Sequence, residues 1–197
     1  MILPIVSDDR YVTALPDGHR FPMAKFDLVR ESVRTNLDTD RLRDHSPRQN
    51  PLPLIRSVHD VSYVESFVRG TLSESHQREI GLPWSAPLVE RTITAVGGTL
   101  RTTELALEHG LACNTAGGTH HAFPDRGSGF CILNDLAVSA HFAVEEKDLA
   151  SMLILDLDVH QGNGTAAFFQ DHDRVRTASV HCESNFPFDR THGDWDI

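Results

Sequence analysis

Apolar residues recur at two spacings along this chain, and the two alternate. Alternating or continuous apolar runs predict strands at residues 3–6, 111–115, 152–155 and 175–181, while apolar residues three and four apart predict helices between them. Phe26, Val29 and Val33 mark a helix over 24–35, and Val61, Val64, Phe67 and Val68 the inner face of a short helix opened by His59-Asp60. The longest helix runs over 87–109, with Val89, Ile93, Val96, Leu100 and Leu107 inward, Pro87 in its first turn and Gly110 at its end. Gly97-Gly98 in its middle weakens it in isolation, so another element is expected to pack closely there. Further helices are predicted from Asn134 or Asp135, either of which can cap, to 146, and from 164 to 170. Segments 38–53 and 71–83, and the chain from 182 onward, read as loop. Strands alternating with helices indicate an α/β architecture with a mostly parallel sheet.

The run Met152-Leu153-Ile154-Leu155 reads as a strand buried on both faces, as in the middle of a parallel sheet. Asp156, Asp158 and His160 follow at intervals of two, which places them on one side of the extended chain. In open α/β sheets the C-terminal ends of strands are where ligands bind. A carboxylate and an imidazole there suit a divalent metal; zinc accepts both, and so does iron. The plain alternative is a strand end with solvated polar residues, and a second histidine-rich stretch weighs against it. Gly117-Gly118-Thr119-His120-His121 offers two imidazoles behind a glycine pair that allows tight turns and close approach of a ligand. One imidazole can serve as general base toward a metal-bound water, and the other can donate a proton or hold a developing oxyanion. Each needs an orienting partner on its far nitrogen, for which Asp156 and Asn163 are candidates. Taken alone, such a His-His pair is commonly a surface feature.

The 197 residues suit one sizeable domain or the larger part of one. A net charge of −10, from 28 acidic and 18 basic residues, argues against a general nucleic-acid binder and supplies no polybasic membrane patch. No apolar run reaches membrane-spanning length, and the N-terminus lacks the basic start and apolar core of a signal peptide. Three widely spaced cysteines, Cys113, Cys131 and Cys182, do not form a disulfide framework and fit a reducing cytoplasm; Cys113 and Cys131 read as core thiols.

The stretches AGGTHHAFPDRGSGFCILND and LILDLDVHQGNGTAAFF resemble the zinc-dependent histone deacetylase family, including its bacterial acetoin-utilisation and acetylpolyamine relatives. The HRFPM and GLPWS segments and His59-Asp60 with Tyr63 are also similar to bacterial members, and HQGNG is closer to the class IV and bacterial forms than to class I. The resemblance implies an arginase/deacetylase-like three-layer fold with a mostly parallel central sheet flanked by helices. Residues 1–197 would be the N-terminal portion of a single such domain, with its C-terminal part missing. It implies Asp158 and His160 as two of three ligands of a catalytic Zn2+. His121 would be general base, oriented by Asn163 as an amide and not a carboxylate, with His120 assisting electrostatically and held by Asp156. It further implies a structural K+ site at Asp156, Ser179 and Val180, with backbone carbonyls of Asp158 and His160. Gly129 and Phe130 would line one wall of the substrate tunnel, and Phe186 or Phe188 the other.

The family's third metal ligand, an Asp, and its oxyanion tyrosine have no counterpart here: Asp189, Asp194 and Asp196 come too early, and Tyr11 and Tyr63 lie in the wrong part of the chain. Missing later strands would leave apolar faces uncovered. One hypothesis is therefore a zinc-dependent amide hydrolase acting on an acetylated lysine peptide or protein, or on a small acetylated amine. The other is a catalytically incomplete fragment of that fold, with weak metal binding or a partner-binding role. An arginase-type hydrolase fits less well, because a two-manganese site takes more Asp ligands and the tandem histidines are not its pattern. His19, His59 and Trp84 read as local hydrogen-bonding and packing residues as readily as pocket residues.

Overall fold

A computed structural model describes residues 2–197. Leu3–Val6 forms strand β1, with Ile5 and Val6 buried. Helix α1 (Lys25–Asn36) leads to strand β2 (Leu42–His45), which lies parallel to β1 with Leu3 opposite Leu42 and Val6 opposite His45. Helices α2 (Leu52–Val58), α3 (Val61–Arg69), α4 (Glu74–Ile80) and α5 (Ala86–His109) follow, before the short strand β3 (Cys113–Asn114) joins the other side of β1. Helix α6 (Asp135–His141) runs into a π-helical turn, Phe142–Glu146, and then strand β4 (Met152–Asp156). Helix α7 (Asn163–Phe169) crosses to strand β5 (Val175–Ser179), and strand β6 (Trp195–Asp196) pairs beyond it. The strands make two parallel three-stranded sheets, β2-β1-β3 and β4-β5-β6. Parallel neighbours need long crossovers, and the intervening helices supply most of them. The architecture is the expected α/β arrangement of parallel strands flanked by helices.

Helix α5 is the spine of the N-terminal part. Ser85 caps its start, accepting from the Leu88 N–H, and Gly110 closes it in the left-handed conformation. Its glycine pair is where other chain comes closest: a Cβ on Gly97 would lie 2.5 Å from the Arg48 carbonyl oxygen, and one on Gly98 1.9 Å from the Tyr11 hydroxyl. The expected close packing is thus present. Around α5 gathers a core that includes Tyr63, Val64, Phe67, Leu88, Val96, Leu100, Ile132 and Phe142. A smaller cluster (Ala137, Ala140, Val144, Ile154, Phe169 and Val175) seals α6 and α7 against one face of β4 and β5.

Several elements depart from the sequence reading. Residues 38–53 are not all loop: β2 lies there, a charged LRDH edge strand made by its pairing with β1 rather than by its own pattern. Helix α2 begins behind Pro51, with proline in its first turn where its missing N–H costs nothing. Within 71–83, Ser73 caps α4 and Gly81 ends it. Trp195–Asp196 pairs with β5 in a stretch read as loop. Val29 and Leu107 are exposed, not inward. The largest correction concerns β4, which is covered on one face only. Ile154 is buried, but Leu153 and Leu155 are 54% and 57% exposed. Leu155, Ala178 and Trp195 stand side by side across the three strands on that open face, because Leu155 pairs with Ala178 and Ala178 with Trp195.

Candidate active site

The tandem histidines sit between α5 and the start of α6, on a segment with little freedom. His120 and His121 are 6% and 3% exposed. The Thr165 N–H donates to the His120 carbonyl at 3.0 Å, and Asn134 Nδ2 donates to the Ala122 carbonyl at 3.0 Å. The two glycines of HQGNG serve this same segment. A Cβ on Gly164 would lie 2.4 Å from the Ala122 carbonyl oxygen, and one on Gly162 2.4 Å from Asp156 Oδ2. Only glycines let α7 and its leading turn come this close.

Each imidazole has a partner on its far nitrogen. His120 Nδ1 lies 2.5 Å from Asp156 Oδ2, and His121 Nδ1 lies 2.9 Å from Asn163 Oδ1. The Asn163 amide is oriented by its other contacts: Nδ2 donates to the Asp189 carbonyl at 3.2 Å and Oδ1 accepts from the Gly164 N–H at 3.0 Å. Its oxygen therefore faces His121, which must carry its proton on Nδ1 and leave Nε2 unprotonated. Burial, reinforced by the neighbouring His120, pushes the His121 pKa down to about 4. The ring is a neutral imidazole at neutral pH.

Asp158 and His160 are held differently. β4 ends at Asp156, so these two lie in a bend beyond the strand and not in a strand row. The bend is tied by short-range bonds: Asp156 Oδ1 accepts from the Asp158 N–H at 3.0 Å, and Asp158 Oδ1 from the His160 N–H at 2.8 Å. His160 Nδ1 also lies 2.8 Å from Asp158 Oδ1. Their side chains are 50% and 37% exposed. Burial pushes the Asp158 carboxyl up, but the His160 N–H and the nearby imidazoles outweigh it and hold the group below its ordinary range. One oxygen and one nitrogen donor make half of a four-coordinate zinc site. Among the described residues no group of three His, Cys, Asp or Glu side chains could hold a metal ion. Asp194 is bound to Thr177 and Arg176, and Asp196 to Gln161 and Gly193. The residues present therefore do not fit a zinc ion held by three protein ligands.

Both pairs open into one pocket of about 750 Å³, whose lining includes His120, His121, Asp158, His160, Phe130 and Phe186. The Phe186 ring stands edge-on to His121 at 4.9 Å between centroids, whereas Phe188 is 88% exposed. Phe186 is thus the wall residue of the two. Gly129 fits between them, since a Cβ there would lie 2.8 Å from His121 Cδ2 and 2.9 Å from Phe186 Cε1.

Residues 19–196 match the histone deacetylase domain family. The chain belongs to that family. It is 51% identical over its whole length to an uncharacterized protein of Picosynechococcus, of which it spans 66%. It is 31% identical over 93% of its length to the acetoin utilization protein AcuC of Staphylococcus aureus, of which it spans 50%. A crystal structure of a histone deacetylase homologue complexed with SAHA superposes with a TM-score of 0.77 at 26% identity, over 96% of this chain and 54% of that one. The homologue from Aquifex aeolicus gives 0.75 at 25% identity, over 95% and 53%. The chain thus spans between half and two thirds of the length of these relatives.

The other residues singled out in the sequence lie beside the site or in the structure behind it. Asp156 pairs with Ser179 across β4 and β5. The Asp156 carbonyl accepts from the Val180 N–H at 3.0 Å, and the Ser179 carbonyl from the Ile197 N–H at 2.9 Å. The residues of the expected cation site are therefore adjacent, with these two carbonyls engaged in backbone bonds. His59 is a buried strut: Nδ1 faces the Pro124 carbonyl at 3.3 Å and Nε2 accepts from the Asn134 N–H at 2.9 Å. Burial pushes its pKa down to about 4. His19 likewise bridges loops, to the Gly81 carbonyl and the Phe21 N–H. The Tyr63 hydroxyl donates to the Ile132 carbonyl and Tyr11 to Asn114, so neither reaches the site. Trp84 donates to the Phe67 carbonyl. Cys131 is buried as expected, but Cys113 is exposed.

Sequence reasoning missed one wall of the pocket. Phe21, Phe26, Lys25 and Arg91 all line it, with the Phe21 ring 5.3 Å from Phe130 and the Arg91 guanidinium 4.8 Å from the centre of Phe26. Within HRFPM the sequence points to His19 and not to Phe21, and nothing in the pattern of α5 distinguishes Arg91.

Proposed function

We propose that this chain supplies the acid–base half of an amide-hydrolysing site, and that by itself it is a catalytically incomplete deacetylase fold with weak divalent-metal affinity. One contrast carries this reading: two buried histidines, each with an oriented partner, share a pocket with only two half-exposed metal donors. His121 Nε2 is the group to accept a proton from an attacking water, since Asn163 holds the other nitrogen protonated. His120, paired with Asp156, is the group to carry positive charge beside a developing oxyanion. Asp158 and His160 are one donor short of a three-ligand zinc site. In a longer protein of this family, Zn2+ would be held by Asp158, His160 and a further donor, with K+ as structural ion beside Asp156, Ser179 and Val180. Its substrate class would be the amide of an acylated lysine or related amine, whose alkyl chain suits the slot between Phe130 and Phe186.

The test is hydrolysis of an acetyl-lysine peptide by this chain with added zinc, with chelator, and in His121→Ala, beside calorimetry of zinc binding. Weak zinc binding that His160→Ala abolishes, with no turnover above the His121→Ala level, is the expected result. Chelator-sensitive turnover that depends on His121 would overturn the incomplete-site reading.

A further inference from the structure

We propose that Asp135 is a positioning residue for the tandem histidines, acting through the Gly118-Thr119 turn; this rests on the reading of His120 and His121 as the acid–base pair. The carboxylate is 1% exposed, and among the described residues its partners are all neutral donors. Oδ2 accepts from the Gly118 N–H at 3.0 Å and from the Thr99 hydroxyl at 2.5 Å. Oδ1 accepts from the Thr119 N–H at 2.8 Å and lies 2.5 Å from the Thr119 hydroxyl. The Asp135 N–H in turn donates to Thr119 Oγ1 at 3.2 Å. Two successive backbone N–H groups thus converge on a buried anion, in the manner of an anion-binding nest, and the next two residues are the histidines.

This arrangement accounts for residues that the acid–base chemistry leaves unexplained. Gly117 and Gly118 both have positive φ, and a Cβ on Gly117 would lie 2.4 Å from Asp135 Oδ2 and 2.6 Å from Thr99 Oγ1. The close approach that Gly117 permits is therefore to the chain's own carboxylate, while Gly118 has open space where a Cβ would stand. Asp135 is not the cap of α6; Asn134 is, through the Ala137 N–H. The network also reaches outward: Asn114 Nδ2 donates to Thr99 Oγ1 at 3.2 Å, and Asn114 Oδ1 accepts from the Tyr11 hydroxyl at 3.0 Å. A half-buried polar chain thereby links the turn at Tyr11, α5 and β3 to the segment that carries the site. Hydrogen-bonded networks of this kind specify position when every member is satisfied.

Asp135→Asn tests the assignment. The amide keeps the shape of the side chain but presents an NH₂ where two donors already point, so at least one bond to the turn is lost. The readout is the tautomer and exchange of the His120 and His121 ring N–H groups by nitrogen NMR on the whole chain, beside backbone spectra that report folding. The expected result is a folded variant in which ring N–H exchange at His120 and His121 accelerates by about tenfold, the factor that loss of one buried hydrogen bond carries. Ring signals like those of the unsubstituted chain, whatever happens to the melting temperature, would overturn the proposal and leave Asp135 a stabilising residue only. If Asp135→Asn does not fold, Thr99→Val decides by the same signals: a smaller shift in the same direction supports the proposal, and none overturns it. Hydrolysis is not the readout, so failure of the hydrolytic reading with perturbed ring signals would count against that reading and not against Asp135.

Discussion

The histidine pair and the Asp158–His160 pair face the same pocket and are built on opposite terms. His120 and His121 are buried, bonded on their far nitrogens and locked through their backbone to α6 and α7. Asp158 and His160 are half-exposed, and their short contacts are to each other and to Asp156. The first pair was ordered by folding itself, so its geometry is in place before any ligand arrives. The second is held by a local bend, which sets two donors near one another and leaves the coordination number to be completed. Preorganisation of the base and not of the metal donors is what separates them.

Acid provides the largest way to break this contrast. His121 and His59 both have folded pKa values near 4 because burial disfavours their charged forms, against 6.5 for an ordinary histidine. Between pH 6.5 and 4 the unfolded chain binds protons at these rings that the folded chain does not, so stability falls as the pH falls through that window. Each contributes a loss on the order of 3 kcal/mol. Urea unfolding at a series of pH values measures this slope, and His59→Asn is expected to flatten part of it. A flat profile would mean that these imidazoles are not held neutral by burial.

Next in size is Gly164→Ala. The added carbon meets backbone atoms of His121 and Ala122, which cannot rotate away. Destabilisation of about 2–3 kcal/mol is expected in urea unfolding. A neutral outcome would show that the histidine segment is looser than its contacts imply.

The smallest effect sharpens the comparison from the other side. Asp158→Asn is expected to change stability by no more than about 0.5 kcal/mol, as befits a half-exposed group, while zinc binding measured by calorimetry is lost. A large loss of stability would instead make Asp158 part of the folded framework.

Much of this site was legible because its chemistry is concentrated in short stretches. His120, His121, Asp156 and Asn163 are named by type and spacing, and the fold brings them together in the pairings that the family resemblance implies. Asp135 was seen only as a possible cap, since its partnership with Thr119 spans 16 residues and no local pattern signals it. Strands β2 and β6 escaped notice because charged or very short segments become strands through what lies beside them.

The sequence alone determined the main alternation of helices and strands, the first-turn proline and glycine stop of α5, and the residue types available for acid–base and metal chemistry. These depend on interactions within a few residues, which spacing encodes directly. Only the tertiary structure decided that Phe186 and not Phe188 walls the pocket, that β4 is bare on one face, and that Asp158 and His160 lie beyond the strand end. Burial and long-range hydrogen bonds depend on which distant segment is brought opposite a residue, and no local pattern carries that information.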